Sequence, residues 1–185
     1  MPEYGPGLRG GPNRFLTIRQ LTHEEITNST RRYPITVLAH DWVNPLNVGA
    51  LFRLADAAGL QQLVLSGTTP RPPHPKIRRT ARATERSVPF ATVDDPVDYL
   101  RTMRAAGVRV VAVEITDESH SLFDYRLARG EEIVLVAGAE SGGVAPTLLR
   151  QCDEAVHLPM HGLNTSMNVS VALGAAVYLL LMQLQ

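Results

Sequence analysis

The run Ile133-Val134-Leu135-Val136-Ala137-Gly138-Ala139-Glu140-Ser141-Gly142-Gly143, with Pro146 just beyond it, decides the fold class. Five apolar residues without polar alternation read as a strand buried on both faces. Glycines at 138, 142 and 143 then end the strand, and Pro146 suits the first turn of a helix. A strand that passes through a glycine turn into a helix is the repeating unit of an α/β fold, whose parallel strands are covered by helices on both sides.

The same alternation extends outward from this unit. Short apolar runs at 35–39, 62–65, 108–113 and 155–158 read as further strands, and 47–59, 75–86, 95–106, 146–152 and 168–182 as helices. No repeat or low-complexity segment interrupts them. Residues 1–14 hold four Gly and three Pro and read as a flexible tail, with 15–34 as an N-terminal extension and the folded domain over 35–185. Gly5, Gly7 and Gly10 match a dinucleotide-binding pattern, but no strand can precede them and the match is discarded. Thr22 and Glu25 have capping-box spacing for a short helix that ends before Tyr33-Pro34.

With 185 residues, 44% of them hydrophobic and 19% charged, the chain can bury a core without disulfide or metal staples. Its longest apolar run, 171–182, is too short to span a bilayer, and the N-terminus has no secretory apolar segment. The single Cys152 reads as a small buried hydrophobe rather than a nucleophile, and a cytoplasmic location is expected.

Zero net charge conceals a division. Residues 1–86 carry 12 Arg and Lys against 6 Asp and Glu, and residues 87–185 carry 6 against 12. Between 71 and 86 stand Arg71, Lys76, Arg78, Arg79, Arg82 and Arg86 with one acid, Glu85. Such a cluster points to a polyanion, although an Arg-rich composition also produces solvated basic faces.

Ligands of parallel sheets bind in loops beyond the carboxyl ends of the strands, and three such loops carry the polar residues. After the first strand, Asn47 is placed to cap a helix whose apolar stripe is Val48, Leu51, Phe52 and Ala55, and Gly49 admits a close neighbour to its first turn. Arg53 points off that stripe, and its plain reading is a surface pair with Asp56. The second loop is 138–143, where Glu140 supplies the only charge. The third begins at Leu158-Pro159-Met160 and runs through Ser166-Met167-Asn168-Val169-Ser170, with Ser166 or Asn168 as a helix cap. His157, His161 and Cys152 lack a fourth ligand, so no metal is expected.

Together, Asn47-x-Gly49-x-x-x-Arg53, Gly138-x-Glu140-x-x-Gly143 and 158–170 resemble the three signature motifs of the SpoU/TrmH-type RNA 2′-O-ribose methyltransferases of the SPOUT superfamily. The resemblance spans roughly 35–181 and includes His74-Pro75-Lys76. It implies S-adenosylmethionine as methyl donor, a C-terminal trefoil knot in the sheet and an active site at a homodimer interface. It places the cofactor against Thr116, Gly138, Leu158, Met160 and Met167, and the reaction centre at Asn47, Arg53, Glu140, Ser166 and Asn168. It assigns RNA contact to Lys76, Arg78, Arg79, Arg82 and Arg86. Arg53 is expected to bind phosphate and polarise the hydroxyl, with Ser166 and Asn168 orienting the ribose and Glu140 holding Arg53 or Asn47. Ala139 and Met167 depart from the common pattern without removing a reactive group. A catalytically silent relative would be expected to lack Arg53, Glu140 or Asn168, and all three are present. The short segment before the first strand favours tRNA over rRNA as substrate.

Overall fold

The computed structural model describes residues 19–26 and 29–184, so the 1–14 tail lies outside the described residues. Two compact units divide at residue 30. In the first, half of the Thr22–Glu25 capping box forms: the Thr22 N–H donates to the Glu25 carboxylate at 2.9 Å, whereas the Glu25 N–H bonds the Thr22 carbonyl rather than its hydroxyl, and the helix is one 3-10 turn, His23–Glu25. Arg19 pairs with Glu25 at 2.6 Å and, with the Thr22 bonds, holds that carboxyl down at about 2.

The second unit is a sheet of seven strands: β1 Tyr33–His40, β2 Leu60–Ser66, β3 Phe90–Val93, β4 Arg109–Val113, β5 His120–Ser121, β6 Ile133–Ala137 and β7 Glu154–His157. Their order is β3-β2-β1-β6-β4-β7-β5, and every pairing is parallel. The helices are α1 Pro45–Ala58, α2 Pro75–Ala81, α3 Pro96–Ala105, α4 Pro146–Leu149 and α5 Val169–Leu184. Each of α1 to α4 opens on a proline, whose fixed φ and missing N–H suit a first turn.

The unalternated run that set the fold class is β6, and all five of its residues are buried. Val37, Leu63, Val111 and Leu135 pack on one face beneath α1, α2 and α5; Leu38, Val64, Val110, Val134 and Val136 pack on the other against Leu100 of α3 and Leu148 of α4. Alternate residues thus feed two cores, as a sheet covered on both sides requires.

The structure differs from the sequence reading in several elements. β3 and β5 are additional, because β3 is a half-exposed edge strand of four residues and β5 has only two. β1 starts at Tyr33, and Pro34 is accommodated where the register with β2 shifts between Tyr33 and Thr36. The helix expected over 75–86 stops at Ala81: Arg82 and Ala83 take left-handed φ values of 53° and 74°, and a 3-10 turn, Thr84–Arg86, follows. The helix expected over 146–152 stops at Leu149.

Candidate active site

The loops after β1 and β6 are sewn together by one indole and one carboxylate. Trp42 is fully buried; its backbone N–H donates to Thr69 Oγ1 at 3.1 Å and its Nε1–H to the carbonyl of Ala137, the last residue of β6, at 3.3 Å. Glu140 Oε2 accepts the Val43 N–H at 2.9 Å, while Oε1 accepts the Asn44 N–H and Asn47 Nδ2, both at 3.1 Å. Burial alone would push the Glu140 carboxyl up, but these three donors, with the residue's own backbone N–H, outweigh it and hold it below its ordinary value. Glu140 is an ionised clamp with both oxygens engaged.

Asn47 does not cap α1. Asn44 does, its side chain accepting the Leu46 N–H at 3.0 Å. Three residues into the helix, Asn47 is buried and spends its carboxamide across the site: Nδ2 donates to Glu140 and Oδ1 accepts from Asn168 Nδ2 at 3.3 Å. Asn168 in turn caps α5, its Oδ1 accepting from the Ser170 N–H and hydroxyl and from the Val171 N–H. Glu140, Asn47 and Asn168 therefore form one polar chain linking three loops that are distant in sequence.

This chain borders a cleft of about 860 Å³ whose walls include Thr116, Gly138, Glu140, Leu158, Met160, Ser166, Met167 and Asn168. The glycines shape it indirectly. Ala139 and Gly143 exchange backbone hydrogen bonds at 2.9 Å, closing a tight loop, and a Cβ on Gly138 would strike the Gly143 carbonyl. Gly138 is thus required by its own loop. Gly49 answers to a helix: a Cβ there would meet Thr80 and the Ile77 carbonyl of α2.

Glu114, which the sequence reading passed over, holds the far wall. Its Oε1 accepts the Ile115 N–H and its Oε2 the Val144 N–H, each at 2.9 Å, so it fixes the exit of β4 against the glycine loop. Beside it, Ser119 Oγ lies 2.9 Å from His157 Nδ1. A carboxylate directly after a strand is a common surface pattern, and no local signal marks Glu114 as anything more.

Arg53 stands apart. It is exposed, it does not line the cleft, and among the described residues it pairs neither with Asp56 nor with Glu140, which holds Asn47 instead. Six residues from Asn47 on an α-helix, it lies about 240° around the axis. Lys76, Arg78, Arg79, Arg82 and Arg86 are all exposed, and among the described residues only Arg86 of these approaches an acid, Glu85, at 3.9 Å. By contrast Arg101, Arg104 and Arg109 of the second half are paired with Asp98, Asp153 and Glu131. Cys152 is half-buried, and burial, with Asp153 beside it, pushes its thiol up to about 12, which makes it a poor nucleophile. No helix among the described residues is long and apolar enough to cross a membrane.

The sheet and its three loops have relatives among known proteins. A curated 23S rRNA (guanosine-2′-O-)-methyltransferase RlmB of Burkholderia sp is 30% identical over 155 residues, 84% of this chain and 62% of that protein, so the chain spans less than two thirds of that relative's length. The crystal structure of the A. aeolicus TrmH/SpoU tRNA modifying enzyme superposes with a TM-score of 0.75 at 28% identity, over 83% of this chain and 77% of that one. The SpoU methyltransferase AviRb from Streptomyces viridochromogenes, solved in complex with the cofactor AdoMet, gives a TM-score of 0.72 at 28% identity over 80% and 59%. The model of the SpoU rRNA Methylase family matches residues 34–178, from the first strand into α5 and across all three loops. The chain belongs to that family.

Proposed function

We propose that the protein transfers a methyl group from S-adenosylmethionine to a ribose 2′-hydroxyl of structured RNA. The observation that carries this reading is the polar chain Glu140–Asn47–Asn168 at the edge of a cleft bounded by Gly138 and the 158–167 segment. The cleft fits the cofactor: its volume is that of a small-ligand site, and it combines the apolar Leu158, Met160 and Met167 with backbone-rich loops at Gly138 and Thr116. When bound there, S-adenosylmethionine supplies a methyl group already activated on a sulfonium.

The protein's task is then to align the hydroxyl and ease the loss of its proton. Both carboxylates of the cleft, Glu114 and Glu140, accept N–H donors on each oxygen, which commits them to holding the loops in place. Asn168 has one Nδ2 hydrogen left after its bond to Asn47, and with the Ser166 hydroxyl it orients the ribose. Arg53 binds the adjoining phosphate and polarises the hydroxyl; as a guanidinium it keeps its own proton.

A homodimer with the site at its interface accounts for the distance of Arg53 from its own cleft. It is further supported by the exposed stripe Val171, Tyr178 and Met182 on α5, together with the fully exposed Leu163. A trefoil knot is supported by the strand order: β6 sits between β1 and β4, and β7 between β4 and β5, so the last strands occupy places between earlier ones. The cations at 76–82, which pair with no acid among the described residues, supply the phosphate-binding face.

For the substrate, rRNA is supported by the Burkholderia relative, a 23S rRNA methyltransferase, and tRNA by the A. aeolicus protein, a tRNA modifying enzyme. Incubating total rRNA and total tRNA separately with labelled S-adenosylmethionine distinguishes them. Label in rRNA alone is expected; label in tRNA alone selects the second reading, and label in neither refutes the assignment.

A further inference from the structure

The basic segment borders a second cleft, of about 990 Å³, that shares no wall residue with the first. Its walls are apolar at Pro72, Pro73 and Phe90 and cationic at Arg78, Arg79 and Arg86. Among them stands Glu85, the one acid of residues 71–86. The left-handed pair Arg82 and Ala83 ends α2, and the following 3-10 turn carries the Glu85 side chain inward, to 8% exposure.

Among the described residues its oxygens have no hydrogen bond. Oε2 is shielded from solvent and has no partner, and Oε1 lies 3.9 Å from Arg86 Nε, beyond hydrogen-bond reach. Buried polar atoms are nearly always satisfied, so a carboxylate nine-tenths buried in a cleft wall and lacking a donor marks a place where a donor arrives from outside. The cations around it favour a ligand that also carries negative charge.

We propose that this cleft holds one unpaired guanine of the RNA, with the base edge on Glu85 and the flanking phosphates on Arg78, Arg79 and Arg86. The inference rests on the RNA reading above and concerns a nucleotide other than the one methylated. Guanine is the standard base whose Watson–Crick edge sets two N–H donors, N1–H and the N2 amine, side by side to meet both oxygens of a carboxylate. Adenine and cytosine place a ring-nitrogen acceptor beside their amino group, and uracil flanks its single imino N–H with carbonyls, so each would set an acceptor against a carboxylate oxygen. Because Oε2 is shielded in the conformation present, meeting both donors requires Glu85 to turn to another staggered rotamer on binding. Phe90, 37% exposed and braced edge-on by Phe52 at 5.4 Å, offers the ring on which an unstacked base can lie, beside the two prolines.

The test uses the full chain and fluorescently labelled oligouridine decamers with one central guanosine, inosine, adenosine or cytidine, followed by anisotropy. Guanosine is expected to bind about tenfold more tightly than adenosine or cytidine, with inosine, which lacks the N2 amine, in between. Glu85→Gln should abolish that ranking while changing the slope of log affinity against log salt by less than about one unit, because no phosphate contact is lost. The wild-type ranking stands as a test even if the variant misfolds. Equal affinities across the panel with a steep salt slope overturn the guanine site and leave the RNA reading intact, as does a guanosine preference that survives in a folded Glu85→Gln protein. If no decamer binds in a salt-dependent way, the RNA reading of this face fails and the proposal fails with it.

Discussion

Asn168 at the start of α5 donates its carboxamide to Asn47 of α1 at 3.3 Å, across 121 residues of sequence. Because Asn47 passes the contact on to Glu140, the loop that caps the last helix and the glycine loop after β6 are fixed relative to each other. The proposed reaction centre is therefore set by a buried amide rather than by any charged pair.

Asn47→Ala should reveal this directly. The change leaves a Glu140 oxygen short of a donor and the Asn168 amide without its acceptor, at a cost of about 2 kcal/mol. Urea unfolding should show that loss, with methyl transfer reduced by more than the stability change explains. Full activity and an unchanged midpoint would mean that the chain of contacts does not organise the site.

Acid should discriminate Glu140→Gln from the wild type. The carboxyl is held below its ordinary value because its hydrogen bonds outweigh burial, so the folded state takes up the proton less readily than the unfolded state. Its contribution is complete above the unfolded-state value and fades as pH falls through the folded one. The gap in urea midpoint between the two proteins should accordingly narrow below about pH 4. A gap that stays constant from pH 7 to pH 3 would show that Glu140 stabilises nothing through its charge.

The fold class was legible because β6 is five apolar residues with no alternation, short, rich in β-branched side chains and closed by glycines, which together read as a strand covered on both faces. The three loops were legible because Asn, Glu, Ser and Gly gather at strand exits. Contacts between distant loops were not. Pro45, suited to a first helical position, is the local mark of Asn44 as the cap of α1, but the use of Asn47 across the site is decided by Glu140, more than 90 residues away. The basic segment reads as a single helix because no glycine or proline interrupts 76–86; the left-handed turn at Arg82 and Ala83 uses residues that rarely adopt it. Glu114 was invisible for the same reason as the Asn47 contacts, since its partner Val144 lies 30 residues on.

On α5, the outward positions separate assembly from folding. Leu180 is fully buried within the chain, so Leu180→Glu should unfold it. Tyr178 and Met182 are 50% and 75% exposed, and Tyr178→Glu combined with Met182→Glu should give a folded chain that sediments as a monomer and has lost methyl transfer. A wild-type protein that is itself monomeric and active at micromolar concentration would contradict the shared site.

For Arg53→Ala, methyl transfer should fall at least about a hundredfold, while calorimetry with S-adenosylmethionine shows nearly unchanged affinity, because Arg53 is absent from the walls of the cofactor cleft. Equal loss of both would make Arg53 a structural residue.

The most direct measurement is the position of the methyl group on the RNA. A ribose 2′-hydroxyl is the internal nucleophile of alkaline RNA cleavage, so its methylation protects one linkage. RNA reacted with the protein and S-adenosylmethionine, hydrolysed in alkali and resolved on a sequencing gel, should show a single missing rung at the modified nucleotide. A complete ladder from RNA that has gained one labelled methyl group would place that group on a base and contradict the mechanism.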